Sequence, residues 1–228
     1  MNELYVKRFS APPIDRDEII RYCGGAEKES IAFIDEVSKT LSEKLCYKVC
    51  YRLTDVKYLA DERLDLGYFK TDSKALKRNL NGAEKAILFA ATVGLEVERA
   101  VNKYAVLSPT AALIADAVGT ERIEALCDLA CAHFKTLYGE LRPRFSPGYG
   151  DLSLKVQKDL FSALDCPRSI GLTLNESLLM SPQKSVTAIV GILPPTRDDG
   201  KRSKAVSKCR SCENRNCAYR EESKASSQ

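Results

Sequence analysis

Positions 85 to 94 read Lys-Ala-Ile-Leu-Phe-Ala-Ala-Thr-Val-Gly, a compact apolar run that a glycine ends. A short continuous run of this kind favours a buried strand over a helix. We therefore place a central strand at Lys85–Gly94, and the segments on either side of it define the rest of the fold.

Upstream of this run, helix-like and strand-like segments are mixed. Apolar residues at positions 31, 34, 37, 41 and 45 recur at helical spacing, which predicts an amphipathic helix from about 27 to 45. The segment Tyr47–Tyr58 alternates and is rich in Val, Tyr and Leu, which indicates a strand or hairpin. The remaining expectations are a strand at Tyr5–Phe9, a helix at Asp15–Cys23 and a capped helix that follows Ser73 and stops near Asn81.

Downstream of the central run, helices come before two further strands. Ser108-Pro109 separates two long helices that are rich in alanine, Leu95–Leu107 and Thr110–Tyr138. We then expect a loop at Arg144–Asp151, a helix at Ser153–Leu164 and strands at Gly171–Leu174 and Ser185–Leu193. Because strands and helices mix without regular alternation, the sequence predicts an α+β fold with a mainly antiparallel sheet flanked by helices.

Length and composition indicate a folded protein with a separate polar tail. With 228 residues and 44% hydrophobic content, the chain can bury a sizeable core. No stretch approaches the roughly 18 uninterrupted apolar residues of a membrane span, and Met1–Ser10 lacks the apolar core of a secretory signal, so we expect a cytoplasmic protein. Pro194-Pro195 closes the apolar part, which predicts one domain at 1–196 and a basic, Cys-rich tail at 197–228.

The formal net charge of +4 belongs to that tail. From Arg197 onward there are nine Lys or Arg and five Asp or Glu, and their difference equals the whole excess. Binding to a phosphate backbone needs a broad basic surface, which a neutral body does not offer. Nucleic-acid binding through the tail is therefore the weakest of the functional hypotheses.

Nine cysteines are scattered along the chain. An odd, scattered set suits reduced and buried thiols better than a disulfide framework. In the tail, Cys209, Cys212 and Cys217 form a Cys-x-x-Cys with a third cysteine five positions on, a spacing that can wrap thiolates around zinc or an iron–sulfur cluster. Three thiolates are one short of a closed zinc site, so a flexible, reduced tail without metal is an equal alternative.

A sharply turned loop is predicted at Arg142-Pro-Arg-Phe-Ser-Pro-Gly-Tyr-Gly150. Its proline and glycines expose the backbone around Tyr149, and an arginine at its start could grip a carboxylate with two parallel hydrogen bonds. The aromatic face would favour a cationic ligand. An ordinary surface turn has the same composition, so the residues alone leave a ligand site and a plain turn both open.

Five sequence blocks in one order give this region a resemblance to a known family. The blocks are Arg144, Pro147-Gly148-Tyr149, Leu172-Thr-Leu-Asn-Glu-Ser177, Met180-Ser-Pro182 and Ser185-Val186. Together they resemble the activation domain of cobalamin-dependent methionine synthases. The resemblance implies a curved single domain with a twisted antiparallel sheet, in agreement with the pattern described above.

The resemblance also implies a binding site for S-adenosylmethionine. Arg144 would hold the methionyl carboxylate of this ligand, and the loop of Pro147, Gly148 and Tyr149 would contact the ligand through backbone and ring. Glu124, in a segment that looks like the family's long helix, would offer a carboxylate to the cationic part of the ligand. Glu176 and Ser177 would complete the cofactor-binding set, and no catalytic residue is implied.

The function that the resemblance implies is that of a free-standing accessory module, which supports reductive methylation of oxidised cobalamin in a methionine synthase. The cobalamin would be on a partner, either the synthase core or another corrinoid protein, with an electron donor such as flavodoxin. The chain itself lacks an Asp-x-His-x-x-Gly cobalamin motif, and Gly150-Asp-Leu-Ser-Leu154 departs from the family pattern after the tyrosine. The alternative is a redox accessory protein of a corrinoid methyltransferase with a metal-binding tail.

Overall fold

The computed structural model describes residues 3–24, 28–61 and 63–195, which belong to one compact unit that ends at Pro195. Its strands are β1 (Leu4–Arg8), β2 (Lys48–Asp55), β3 (Lys57–Tyr58), β4 (Leu64–Asp65), β5 (Lys70–Thr71), β6 (Lys85–Thr92), β7 (Thr173–Leu174), β8 (Met180–Ser181) and β9 (Ser185–Ile192). Its helices are α1 (Arg16–Tyr22), α2 (Lys28–Ser42), α3 (Lys74–Asn79), α4 (Glu96–Leu107), α5 (Pro109–Tyr138), α6 (Val156–Leu164) and α7 (Cys166–Ile170). Within these ranges, no helix is both long enough and apolar enough to cross a membrane.

A four-stranded antiparallel sheet in the order β1-β2-β6-β9 forms the centre of the fold. Strand β6 lies between β2 and β9, so that Phe89 is opposite Tyr51 on one side and Ala188 on the other. Seven of the eight residues of β6 are buried. The predicted central strand and the predicted α+β fold with a mainly antiparallel sheet are both confirmed.

The two faces of β6 enter two separate apolar clusters. Successive side chains of a strand point to opposite faces, so Ile87 and Phe89 pack with α1, α2, α4 and α5, whereas Leu88 and Ala90 pack with α3, α6 and α7. We call these two sets of helices the α5 layer and the α6 layer. Burial on both faces explains why β6 is a continuous apolar run and not an alternating one.

Helix α5 is the longest element of its layer, with 30 residues. Ser108 caps its start, since its hydroxyl accepts a hydrogen bond from the N–H of Ala111 at 3.3 Å, and Pro109 occupies the first turn, where its missing N–H costs nothing. At Gly119, α4 approaches so closely that an added Cβ would lie 2.4 Å from Cγ1 of Val97. The glycine is therefore what allows α4 and α5 to pack together.

An ion pair is buried inside the α5 layer. Arg122 is fully buried and pairs with Glu121, while Nη1 donates to the Pro12 carbonyl at 2.6 Å and Nη2 to the Pro13 carbonyl at 2.7 Å. Glu121 also accepts a hydrogen bond from the N–H of Asp15 at 3.2 Å. Buried charges are tolerated when they are paired and hydrogen-bonded, so these contacts fix the amino-terminal segment against α5.

The structure also contains features that the sequence pattern did not predict. The segment 141–145 pairs with the edge of β9: the N–H of Arg142 donates to the Gly191 carbonyl at 2.8 Å, and Phe145 and Ile189 exchange hydrogen bonds of 2.9 and 2.8 Å. Helix α7 and strands β5 and β8 were not predicted either, because elements of two to five residues carry too little periodicity. All six cysteines of the described ranges are free thiols, and Cys46 is exposed where a buried thiol was expected.

Candidate ligand-binding site

Arg144 occupies a fixed place beside the sheet because its neighbours in sequence are hydrogen-bonded to β9. Two residues before it, the N–H of Arg142 donates to the Gly191 carbonyl. Directly after it, Phe145 and Ile189 each donate their N–H to the carbonyl of the other. The Arg144 side chain extends into the α5 layer and is only 16% exposed. The guanidinium is therefore positioned by backbone pairing of its neighbours and by its own burial.

Two carboxylates on α5 hold the guanidinium of Arg144. Its Nη2 lies 3.1 Å from Oε2 of Glu124 and 2.7 Å from Oδ1 of Asp128. Residues four apart on a helix share one face, so α5 presents both carboxylates to the same arginine. Sequence reasoning identified Glu124 and Arg144 but missed Asp128, although its position one helical turn after Glu124 could have signalled it.

The groups around Arg144 keep its guanidinium positively charged. They carry two negative charges against this single positive one. Burial lowers the pKa of Arg144, but the negative charges around it, among them the carboxylates of Glu124 and Asp128, raise that pKa above its ordinary value. Burial also raises the pKa of the Cys127 thiol, which stays neutral at physiological pH. One guanidinium therefore faces two carboxylates on this side of α5.

The loop that follows Arg144 has an unusual backbone. Gly148 has a φ of +90° and donates its N–H to the Leu152 carbonyl at 2.9 Å, a conformation that favours glycine. The next residue, Tyr149, is 53% exposed, and its ring meets that of Phe145 edge to face with centroids 5.9 Å apart. An exposed ring supported by a second ring offers a surface against which a small molecule can pack.

Asp151 fastens the end of this loop to the start of α3. Its carboxylate accepts hydrogen bonds from the Ser73 hydroxyl at 2.5 Å and from the N–H groups of Ala75 at 3.0 Å and Lys74 at 2.9 Å. These hydrogen bonds, that of Ser73 most of all, lower the pKa of Asp151 to about 2. Gly150 permits the close approach, since a Cβ there would lie 2.7 Å from the Cβ of Ala75.

Glu176 and Ser177 lie between β7 and β8, next to α6. They follow β7 in the turn that leads to β8, and the neighbouring Leu178 carbonyl accepts a hydrogen bond from Gln157 of α6 at 3.1 Å. Glu176 lines an open cleft of about 540 Å³ against α6. In the described ranges, no hydrogen bond or ion pair connects Glu176 or Ser177 with Arg144 or Glu124. The structure thus pairs Arg144 with Glu124 on the α5 side of the sheet. The ring of Tyr149 instead packs on Phe145, which lies against the apolar cluster of the α6 layer.

The predicted metal ligands Cys209, Cys212 and Cys217 lie outside the described residues. Across the parts of the chain that the structure does describe, no group of three or more His, Cys, Asp and Glu side chains is arranged to hold a metal ion. His133 has an aromatic neighbour, since its ring meets that of Phe9 edge to face at 5.8 Å.

The chain is thus an α+β domain with a four-stranded antiparallel sheet, covered on both faces, and with an arginine–carboxylate cluster beside a glycine-containing loop. This fold is similar to that of the MetH reactivation domain in a crystal structure with bound AdoHcy, with a TM-score of 0.60, 13% identity, and coverage of 86% of this chain and 80% of that one. No family model and no curated protein matches the sequence. The fold that the resemblance implied is confirmed.

Proposed function

We propose that this protein binds S-adenosylmethionine and acts as a reactivation module for a cobalamin-dependent methionine synthase. The observation that carries the proposal is the Arg144 guanidinium, which is held by Glu124 and Asp128 at the start of the loop that exposes Tyr149. The likeness of the fold to a reactivation domain with bound AdoHcy supports it.

The chemical groups present fit the ligand. S-adenosylmethionine carries a carboxylate, an ammonium group and a sulfonium, and a guanidinium beside two carboxylates complements both signs of charge. We assign Arg144 to the carboxylate of the ligand and Glu124 to its cationic part, with Tyr149 and the backbone of Pro147 and Gly148 along its side. Glu176 and Ser177, which line or adjoin the cleft at α6, would contact only a ligand that extends that far.

The residues of this chain would bind and orient, and they would carry out no acid or base chemistry. The bound sulfonium supplies an electrophilic methyl group, and the acceptor would be reduced cobalamin on a partner, either the core of a methionine synthase or another corrinoid protein. Holding the ligand in one orientation lowers the entropic cost of the transfer. Electrons would come from a separate donor such as flavodoxin.

Calorimetric titration with S-adenosylhomocysteine tests the proposed site. The unaltered protein should bind this ligand saturably, and Arg144→Lys should bind about tenfold more weakly or worse, because an ammonium group cannot make two parallel hydrogen bonds. Arg168→Lys on α7, where the side chain is 89% exposed, is the matched control and should bind as the unaltered protein does. Equal affinity of the Arg144→Lys and Arg168→Lys proteins would contradict the assignment.

The partner reaction has its own test. A methionine synthase core that lacks an activation domain, with its cobalamin oxidised, should regain activity when this protein, S-adenosylmethionine and reduced flavodoxin are added together. Omission of any one component should abolish the recovery. Recovery that does not depend on this protein would contradict the role as a reactivation module.

The tail at 197–228 is a separate proposal, in which Cys209, Cys212 and Cys217 bind zinc or an iron–sulfur cluster. Protein purified without oxygen should contain zinc or iron in a fixed ratio to the chain, and the triple Cys→Ser variant should contain neither. Visible absorbance together with iron would favour the redox accessory function, whereas metal-free protein would remove it.

A further inference from the structure

The hydrogen bonds of Arg144 limit how a ligand can reach it. Both ion pairs of this residue use the same nitrogen, Nη2, at 3.1 Å from Glu124 and 2.7 Å from Asp128. An Nη nitrogen carries two hydrogens. Glu124 and Asp128 therefore accept both hydrogens of Nη2, and neither is left for another acceptor.

The shape of the guanidinium makes this occupancy important. A carboxylate can be gripped by two parallel N–H groups along two edges, one formed by Nε and Nη2 and the other by Nη1 and Nη2. Both edges include Nη2. A ligand carboxylate can therefore take the two-bond grip only after Glu124 or Asp128 releases its hydrogen from Nη2.

Exposure decides which carboxylate leaves. The Asp128 side chain is 75% exposed and that of Glu124 is 46% exposed. Release of the more exposed carboxylate costs less, because water can solvate it fully and because exposed ion pairs contribute little. Glu124 would remain in place for the cationic part of the ligand.

We infer that Asp128 is a competing counter-ion, which occupies Arg144 in the free protein and must be displaced when the carboxylate of a ligand binds. The inference rests on the proposed function and extends it. Asp128 thereby lowers the affinity for every ligand that reaches Arg144 through a carboxylate, and it has no such effect on a ligand without one. It acts as a specificity-determining residue and does not itself hold the ligand.

Titration of the full chain with two ligands tests this role. Asp128→Asn should bind S-adenosylhomocysteine about two- to fivefold more tightly than the unaltered protein, which is the gain expected from removal of one exposed ion pair. Methylthioadenosine lacks the amino-acid part, so its affinity should be the same for both proteins. Weaker or unchanged binding of S-adenosylhomocysteine, or equal tightening of both ligands, would overturn the inference.

The matched control is Asp116→Asn. Asp116 lies on the same helix, is 52% exposed and pairs with Lys184 at 2.8 Å, so this variant also loses one negative charge and one exposed ion pair. It should bind both ligands as the unaltered protein does. If Asp116→Asn also binds S-adenosylhomocysteine more tightly, the effect comes from net charge, and the role of Asp128 is overturned. No binding of S-adenosylhomocysteine by the unaltered protein would instead overturn the proposed function, and the inference with it.

Discussion

Asp151 shows how one side chain fixes the position of the candidate loop. It lies just beyond the Tyr149 turn and accepts three hydrogen bonds from Ser73, Lys74 and Ala75 at the start of α3. A negative charge is favourable where the first N–H groups of a helix lack partners. The contact between Asp151 and α3 therefore holds the loop against the α6 layer, in whose apolar cluster Leu152 also lies.

We expect Asp151→Asn to lower stability in a pH-dependent way. The pKa of Asp151 is about 2 in the folded protein, below the value of about 3.9 for an unperturbed Asp. Its contribution to stability is therefore fully present above pH ~4 and is lost as the pH falls through about 2. Urea midpoints should be lower for the variant at pH 7, and the difference should shrink between pH 4 and pH 2.5.

The control for this prediction is Asp159→Asn at an exposed position of α6, which removes the same charge without touching α3. Asp159 lies in the first turn of α6, where its charge contributes only through the helix dipole, so the urea midpoint of this variant at pH 7 should fall less than that of Asp151→Asn. A difference for Asp151→Asn that stays constant down to pH 2.5 would show that the charge of Asp151 does not stabilise the loop contact.

At the scale of elements, replacing Gly119 in α5 by alanine has two opposing effects on the stability of the protein. Alanine inside a helix is favoured over glycine by about 1 kcal/mol, but a Cβ here would lie 2.4 and 2.9 Å from the two methyl carbons of Val97. Val97 is buried, so it has no room to move aside. Overpacking of this kind costs about 1–3 kcal/mol, and we expect the clash to outweigh the helix preference.

Gly119→Ala should therefore destabilise the protein in thermal or urea unfolding. The double variant Gly119→Ala with Val97→Ala should recover part of the loss, because removal of the two methyl groups makes room for the new one. Simple additivity of the two changes would show that α4 and α5 do not meet at this point as the structure has it.

The sequence predicted long elements well and long-range pairing poorly. The apolar run of β6 and the periodic helix α2 were placed from local patterns that extend over many residues. Helices α4 and α5 were placed from two alanine-rich stretches that Ser108-Pro109 separates. The pairing of segment 141–145 with β9 joins residues that are far apart in sequence, and no local pattern encodes it. For the same reason the sequence could suggest Arg144 and Glu124 as site residues but could not show that Asp128 contacts the same nitrogen.

At the scale of the whole molecule, the candidate site and the fold share their supports. Arg144 is positioned by backbone bonds to β9 and by side chains of α5, so a ligand that binds there should stabilise the complete domain. At 100 times its dissociation constant, a ligand adds about 2.7 kcal/mol to the free energy of unfolding. We expect S-adenosylhomocysteine at that concentration to raise the melting temperature by several degrees, and Arg144→Lys to show a smaller rise. No rise in the unaltered protein would contradict binding to the folded state.

The guanidinium of Arg122 has no access to water and donates hydrogen bonds to the carbonyls of Pro12 and Pro13. Any shortened version of the protein that starts after Pro13 would deprive Arg122 of both acceptors while Glu121 alone remained. Loss of hydrogen bonds to a charged group destabilises a domain even when its ion pair remains. Versions of the protein that start after Pro13 should therefore unfold at a lower urea concentration, even though strand β1 lies at the edge of the sheet.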